Sequence, residues 1–275
     1  MNRCDFKKEI HEYIDMEYVK FCSFQEIVLD IYIQVSTIAI KHSIPLFLAY
    51  GSLLGIVRDS NFLPWDSDID TFVLFDDAKK LIDALKEELS DEYFITSNLI
   101  NKNYRAYMTR ICKKGYNSDA IHVDIFYAIQ CSDEEKKQAL LYKESKRLFA
   151  LHILKHDPCR RNNYTSNIKY YFALLLSIKG KITPQFLLDL RFRRLFTENS
   201  NSLLILAGEA TKIINRDDVF PGKIICKNGV NYYLCENPNN ILKELYGDYM
   251  QYMDIDVRFN EFYRGICYLN KEATI

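Results

Sequence analysis

Residues 47–75 read FLAYGSLLGIVRDSNFLPWDSDIDTFVLF, and how this stretch folds decides the rest. The apolar run over 45–50 predicts a buried strand, Gly51-Ser52 a tight turn, and residues 52–59 a short helix. After a loop containing Pro64, residues 68–75 predict a second strand. Side chains alternate across a strand, so Asp68 and Asp70 share one face while Ile69 and Thr71 share the other. Two neighbouring carboxylates repel, and both stay ionised most easily with a cation between them. An all-oxygen ligand set suits Mg²⁺ or Mn²⁺. The Gly51-Ser52 turn ahead of a helix offers backbone N–H groups to a phosphate. Metal-binding acids opposite a phosphate-binding turn make the pattern of a phosphoryl or nucleotidyl transfer site.

Upstream, apolar residues at helical spacing (Phe24, Ile27, Val28, Ile31, Val35, Ile38) predict one or two long helices over 6–42. Downstream, Asp76-Asp77 open a predicted helix over 78–89, where acidic residues suit the helix dipole. Residues 93–99, 104–113 and 121–129 alternate and predict strands, with a hairpin turn at 101–103. On the last of these, Asp124 shares a face with His122, and Val123 and Ile125 take the core side. From Ser132 the pattern turns helical: a charged helix to about residue 154, then helices over 166–178 and 184–196. A hairpin over 223–235, turning at Asn228-Gly229, and a helix over 239–249 follow. The expected organisation is N-terminal helices over 1–42, a catalytic core over 43–131 and a helical region over 132–218. A return segment over 219–250 and a C-terminal segment over 251–275 complete it.

The composition is that of an ordinary globular protein, with 48% hydrophobic and 27% charged residues. A formal net charge of −1 gives no global sign of nucleic-acid binding. The eight cysteines are scattered without a Cys-x-x-Cys pair, which fits reduced thiols. The first ten residues, MNRCDFKKEI, carry charge where a signal peptide has an apolar core. The longest apolar run, 170–178, is too short to span a bilayer. These features lead to the expectation of a cytoplasmic protein.

The motifs resemble those of the LicD/fukutin family of phosphotransferases within the nucleotidyltransferase superfamily. The resemblance rests on Tyr50-Gly51-Ser52-Leu53-Leu54-Gly55-Ile56-Val57-Arg58 and on Leu63-Pro64-Trp65-Asp66-Ser67-Asp68-Ile69-Asp70. It is extended by Val123-Asp124-Ile125-Phe126, by Val219-Phe220-Pro221 and by LKELYGDYM at 242–250. It implies an α/β (α+β) fold: a nucleotidyltransferase-like mixed β-sheet core with flanking helices and a helical insert. Two positions depart from the family pattern. Ser67 stands where relatives have the middle Asp, but with the wrong strand parity for the Asp68/Asp70 pair, so metal binding is expected to survive. Tyr127 stands where many relatives have Pro, which bears on substrate preference.

What the resemblance implies for activity is a metal-dependent transfer of a phospho-alcohol, phosphocholine first, from a CDP-linked donor to a sugar hydroxyl. The donor is CDP-choline or a CDP-polyol, and CMP is released. The acceptor is a cell-surface glycan of lipopolysaccharide, capsule or teichoic acid type. A lipid-linked acceptor would bring peripheral contact with the inner membrane face. Asp68, Asp70 and Asp124 take the metal (Mg²⁺ or Mn²⁺) and catalytic roles, Asp124 as ligand or as base for the acceptor hydroxyl. A solvent-facing edge-strand carboxylate is the plain alternative for Asp124. Gly51, Ser52 and Arg58 grip phosphate; equally, Ser52 can cap a helix and Arg58 can pair with Asp59. Trp65 can stack on a base, face a quaternary ammonium, or pack under the loop. Arg110 either meets the donor's phosphates or decorates a strand surface. Asp66 orients the loop or holds a metal-bound water.

Two further patterns have weaker chemistry. His152 and His156 at helical spacing with Cys159 could bind zinc, but Asp157-Pro158 breaks the helix between them, and a surface pair is the better reading. The run Arg191 to Arg194 reads as the solvated face of a helix rather than an anion site. Nucleotidyl transfer to a sugar or small metabolite, and nucleotide binding without catalysis, are the competing functions.

Overall fold

The computed structural model describes residues 15–101, 104, 108–117, 120–135, 137–140, 200–207 and 211–269. The helices expected over 166–178 and 184–196, most of the one from Ser132, the His152/His156/Cys159 set and the Arg191–Arg194 run lie outside them.

Nine strands among the described residues pair into a mixed sheet, and the fold is α+β. They are β1 (Phe47–Leu48), β2 (Ile69–Leu74), β3 (Tyr93–Ser97), β4 (Met108–Lys113) and β5 (His122–Cys131), then β6 (Ser202–Leu206), β7 (Lys212–Asn215), β8 (Lys223–Lys227) and β9 (Val230–Leu234). The hydrogen-bonded order is β3-β4-β5-β2-β1-β9-β8, with β6 on β5 and β7 on β6. The helices are α1 (Asp15–Lys41), α2 (Tyr50–Leu54) running into a π-helical turn (Gly55–Asp59), α3 (Phe75–Glu88), α4 (Arg216–Val219), α5 (Pro238–Tyr246) and α6 (Ile255–Leu269). By contacts the chain forms two compact units, one drawn from 1–95, 110–125 and 217–275, the other from 96–109 and 126–216.

In the first unit β1 pairs antiparallel with β2, Phe47 opposite Phe72, and parallel with β9, Phe47 opposite Tyr233. Phe47 is the hub of this core: its ring stacks on Phe72 at 5.1 Å and meets Tyr233 and Phe220 edge-on at 4.9 and 5.3 Å. The β8–β9 hairpin turns at Asn228-Gly229, both with positive φ (52° and 78°), as the dipeptide predicts. Helix α1 is one continuous helix. Its apolar face (Phe21, Val28, Ile31, Tyr32, Val35) is buried against α3, α6, β2 and β9. By length and composition Glu17–Lys41 is also apolar enough to cross a membrane. Glu26 and Asp30 interrupt its apolar sequence, so it holds no long uninterrupted apolar run.

In the second unit β6 pairs antiparallel with residues 127–131 of β5, and β7 with β6. These strands fall within 132–218, the region expected to be helical, so the described part of that region is corrected to include a β-hairpin. Residues 203–206 are all buried, and a strand covered on both faces shows no alternation to read. The Tyr127 hydroxyl is buried here, 3.1 Å from Ser97 Oγ and 2.7 Å from Thr109 Oγ1.

Candidate active site

Every candidate in the following geometry belongs to the first unit. Helix α2 begins one residue before the expected turn. Tyr50 takes a left-handed conformation (φ 44°), so the chain reverses there and Gly51 and Ser52 fall in the first helical turn. The buried Ser52 Oγ accepts a hydrogen bond from Asp70 N–H (2.9 Å), tying the helix start to the strand that carries the acids. Gly51 leaves room for the Asp66 carboxylate: a β-carbon there would lie 2.5 Å from Asp66 Oδ2. Gln25 on α1 holds the intervening loop by donating to the carbonyls of Leu63 (3.1 Å) and Asp66 (2.6 Å). On the other side α6 comes so close that a β-carbon on Gly265 would lie 3.0 Å from Ser67 Cβ. A small residue at 67 therefore suits the packing.

Strand β5 presents His122 and Asp124 on one face. His122 Nε2 lies 3.4 Å from Asp68 Oδ2 and 3.7 Å from Asp124 Oδ2. Ligand atoms of Asp68, His122 and Asp124 all fall within 4.8 Å of one another, a cluster compatible with a divalent cation. His122 is 4% exposed and its Nδ1 has no hydrogen-bond partner. The residues therefore fit a metal: a buried imidazole faces two carboxylates. The expected trio was Asp68, Asp70 and Asp124, and the tight cluster includes His122 in place of Asp70.

Arg110 grips Asp124 with two bonds, Nε to Oδ1 at 2.6 Å and Nη2 to Oδ2 at 2.9 Å. Thr71 Oγ1 donates to the Asp124 carbonyl at 2.8 Å, so both ends of this residue are held. The Arg110 guanidinium acts on the carboxyls of Asp68, Asp70 and Asp124, and burying uncompensated charge costs several kcal/mol per ion. The acids respond unequally. Burial and the adjacent Asp68 charge push the Asp66 carboxyl well above the usual range, and it donates a hydrogen bond to Asp68. Burial also opposes ionisation of Asp68, but His122, the hydrogen bond from Asp66 and the charge of Arg110 prevail and hold its carboxyl at about 2. Burial and the charges of Asp68, Asp124 and Asp66 raise Asp70, against the pull of Arg110. Asp66 thus belongs electrostatically to the acid set, and Glu261 and Arg264 of α6 also act on it.

The remaining candidates sit around this centre differently. Arg58 pairs with Asp59 (Nη2 to Oδ2, 3.1 Å), donates to the Tyr249 carbonyl (3.1 Å) and lies 4.1 Å over the Tyr252 ring. It therefore ties the 249–252 segment to the first motif. Trp65 is 2% exposed, its ring facing the Arg258 guanidinium at 5.4 Å and Tyr252 at 6.4 Å, which is the packing role. Two tyrosines of the quoted motifs that were given no site role, Tyr50 and Tyr246, act on the acid set. Burial and the charge of Asp70 raise the Tyr50 phenol; burial, Asp66 and Asp70 raise Tyr246. The signal for Tyr246 in the sequence is its place in the LKELYGDYM block at 242–250. The six described cysteines (Cys22, Cys112, Cys131, Cys226, Cys235, Cys267) are free thiols.

Comparison with known proteins agrees with the geometry. Residues 43–162 match the family model described as LicD/FKTN/FKRP, nucleotidyltransferase domain. Over 130 residues the chain is 28% identical to the lipopolysaccharide cholinephosphotransferase LicD of Haemophilus influenzae. That stretch covers 44% of this chain and 47% of the relative, so the chain spans about half the length of the curated relative it matches. The matched residues contain Asp66, Asp68, Asp70, Arg110, His122 and Asp124, and over this segment the chain is similar to the LicD/FKTN/FKRP nucleotidyltransferase domain.

Proposed function

We propose that this protein is a metal-dependent phosphotransferase that moves a phospho-alcohol from a CDP-linked donor to a sugar hydroxyl of a cell-surface glycan, releasing CMP. Phosphocholine is the group favoured by the similarity to a cholinephosphotransferase. The observation that carries the reading is the acid cluster around Asp68 and Asp124, with its imbalance of carboxyls over guanidinium.

In this reading Asp68, Asp70 and Asp124 hold Mg²⁺ or Mn²⁺. A divalent ion there would neutralise charge on the diphosphate and make CMP a better leaving group. The acceptor oxygen attacks the phosphorus distal to the nucleoside; the bond from that phosphorus to the CMP oxygen breaks. Asp124 helps take the acceptor's proton. Ser52, whose oxygen already accepts from Asp70 N–H, keeps its own proton to donate to phosphate. Arg58 pairs with Asp59 and Arg110 with Asp124; Arg110, set among the acids, is the cation nearer the proposed metal centre for the donor's charge. Trp65 supports the loop from below.

The test is CMP release from a panel of CDP-linked donors, with Mg²⁺ or Mn²⁺ and mixed glycan acceptors. Wild-type protein is expected to release CMP only with metal, and Asp70→Asn to lose at least about 100-fold of that rate, on the order of 3 kcal/mol of barrier. The second reading, nucleotidyl transfer to a sugar or small metabolite, is favoured by the wording of the family description. It predicts a nucleotide-tagged acceptor instead of free CMP. Nucleotide binding without turnover in the presence of metal would sink both.

A further inference from the structure

We propose that His122 is a direct metal ligand, and that its nitrogen gives this centre a preference for Mn²⁺ over Mg²⁺. The inference rests on the reading that the acid cluster holds a divalent cation, and it deepens that reading by naming a ligand and the ion it selects.

Three observations carry it. First, position: strand alternation places His122 on the same face as Asp124, two residues away on β5, and so aims it at the same centre. Second, distance: donors bound to one ion at about 2.0–2.2 Å lie roughly 3–3.5 Å apart at adjacent coordination positions. His122 Nε2 is 3.4 Å from Asp68 Oδ2 and 3.7 Å from Asp124 Oδ2, close to that spacing, and the ligand atoms of the three lie within 4.8 Å of one another. Third, burial beside two acids: His122 is 4% exposed and its Nε2 faces the Asp68 and Asp124 carboxylates. A neutral imidazole so placed offers its lone pair to the same cation that the two carboxylates would bind.

The chemistry of the set then separates the two candidate ions. Mg²⁺ demands oxygen ligands and gives up its water reluctantly, whereas imidazole nitrogen suits first-row transition ions, and Mn²⁺ accepts carboxylate and imidazole together. The neighbouring Asp66 and Asp70 keep the centre rich in oxygen, which disfavours a soft, nitrogen- or sulfur-seeking ion.

The experiment uses Mn²⁺ as a paramagnetic probe on the full chain. Pulsed electron paramagnetic resonance of the Mn²⁺ complex is expected to show coupling to a histidine nitrogen, and the coupling should change to the ¹⁵N pattern in protein grown on ¹⁵N-histidine. His122→Gln is expected to lose the coupling and to bind Mn²⁺ about 10-fold or more weakly, with Mg²⁺ affinity, read by competition, changed much less. Asp68→Asn provides a second variant: it should lose the bound ion and the nitrogen signal together. Thermal unfolding of each variant checks that it is folded. Mn²⁺ bound by the wild type without histidine coupling, or coupling that survives in folded His122→Gln, would overturn the assignment while leaving phosphotransfer intact. Failure to bind Mn²⁺ at all overturns both the assignment and the metal-dependent reading.

Discussion

At Gly51 the space of a missing side chain is taken by the Asp66 carboxylate, 2.5 Å from where a β-carbon would stand. Gly51→Ala must therefore displace that carboxylate, although alanine suits a helix better than glycine by up to about 1 kcal/mol. The expected outcome is a protein of nearly unchanged thermal stability with Mn²⁺ affinity and CMP release reduced about 10-fold or more, a split that titration and melting together would reveal. Asp59 gives a different prediction. Burial opposes its ionisation, but the hydrogen bonds from Arg58 and Tyr252 prevail and lower its carboxyl below the usual range. A carboxyl held low in the folded state stabilises above its unfolded value of about 4, and that contribution is lost as the pH falls below this through the depressed folded value. Asp59→Asn should thus lower the urea midpoint at neutral pH and flatten its decline below about pH 4, as a midpoint-versus-pH series would show. The Tyr127 hydroxyl hydrogen-bonds with Ser97 and Thr109. Tyr127→Phe should cost about 1–2 kcal/mol by denaturant titration, since Ser97 and Thr109 still bond each other at 3.0 Å.

Among elements, the strands with one polar face were the legible ones. Asp68-Ile69-Asp70 and His122-Val123-Asp124 alternate, so the faces of their side chains follow from period two alone. The Asn228-Gly229 hairpin was legible because its turn needs two residues at positive φ. What stayed hidden was set by distance along the chain. His122 was seen to share a face with Asp124, but the approach of Asp68, 54 residues earlier by numbering, comes from strand pairing that no local pattern encodes. Likewise the Arg58–Tyr249 and Gly265–Ser67 contacts join segments far apart in sequence. Gly51-Ser52 was misread as a turn because glycine usually supplies positive φ, whereas here Tyr50 does. The β6–β7 hairpin was missed because residues 203–206 are buried on both faces. The clamp from α1 is open to a direct test: Gln25→Ala frees the carbonyls of Leu63 and Asp66 and is expected to cost about 1–3 kcal/mol, seen as a lowered melting midpoint.

For the molecule as a whole, the acid cluster should make stability depend on metal. Crowded carboxyls and a buried imidazole are conformational liabilities without an ion and assets with one. An ion that binds only the folded state at 100 times its dissociation constant adds about 2.7 kcal/mol. For a chain of this size that is roughly 5–10 °C of melting temperature. Chelation of the ion should reverse the gain, and Asp68→Asn should show none of it in a calorimetric or fluorescence melt. The reporter for such a melt is already in place. Trp65 is the chain's single tryptophan, buried against Arg258 and Tyr252 in the loop that leads directly into Asp66 and Asp68. Its indole emission therefore comes from one known spot. Blue-shifted light signals a closed loop and a red shift marks its opening to water, so a cuvette reads the state of this one corner without any label.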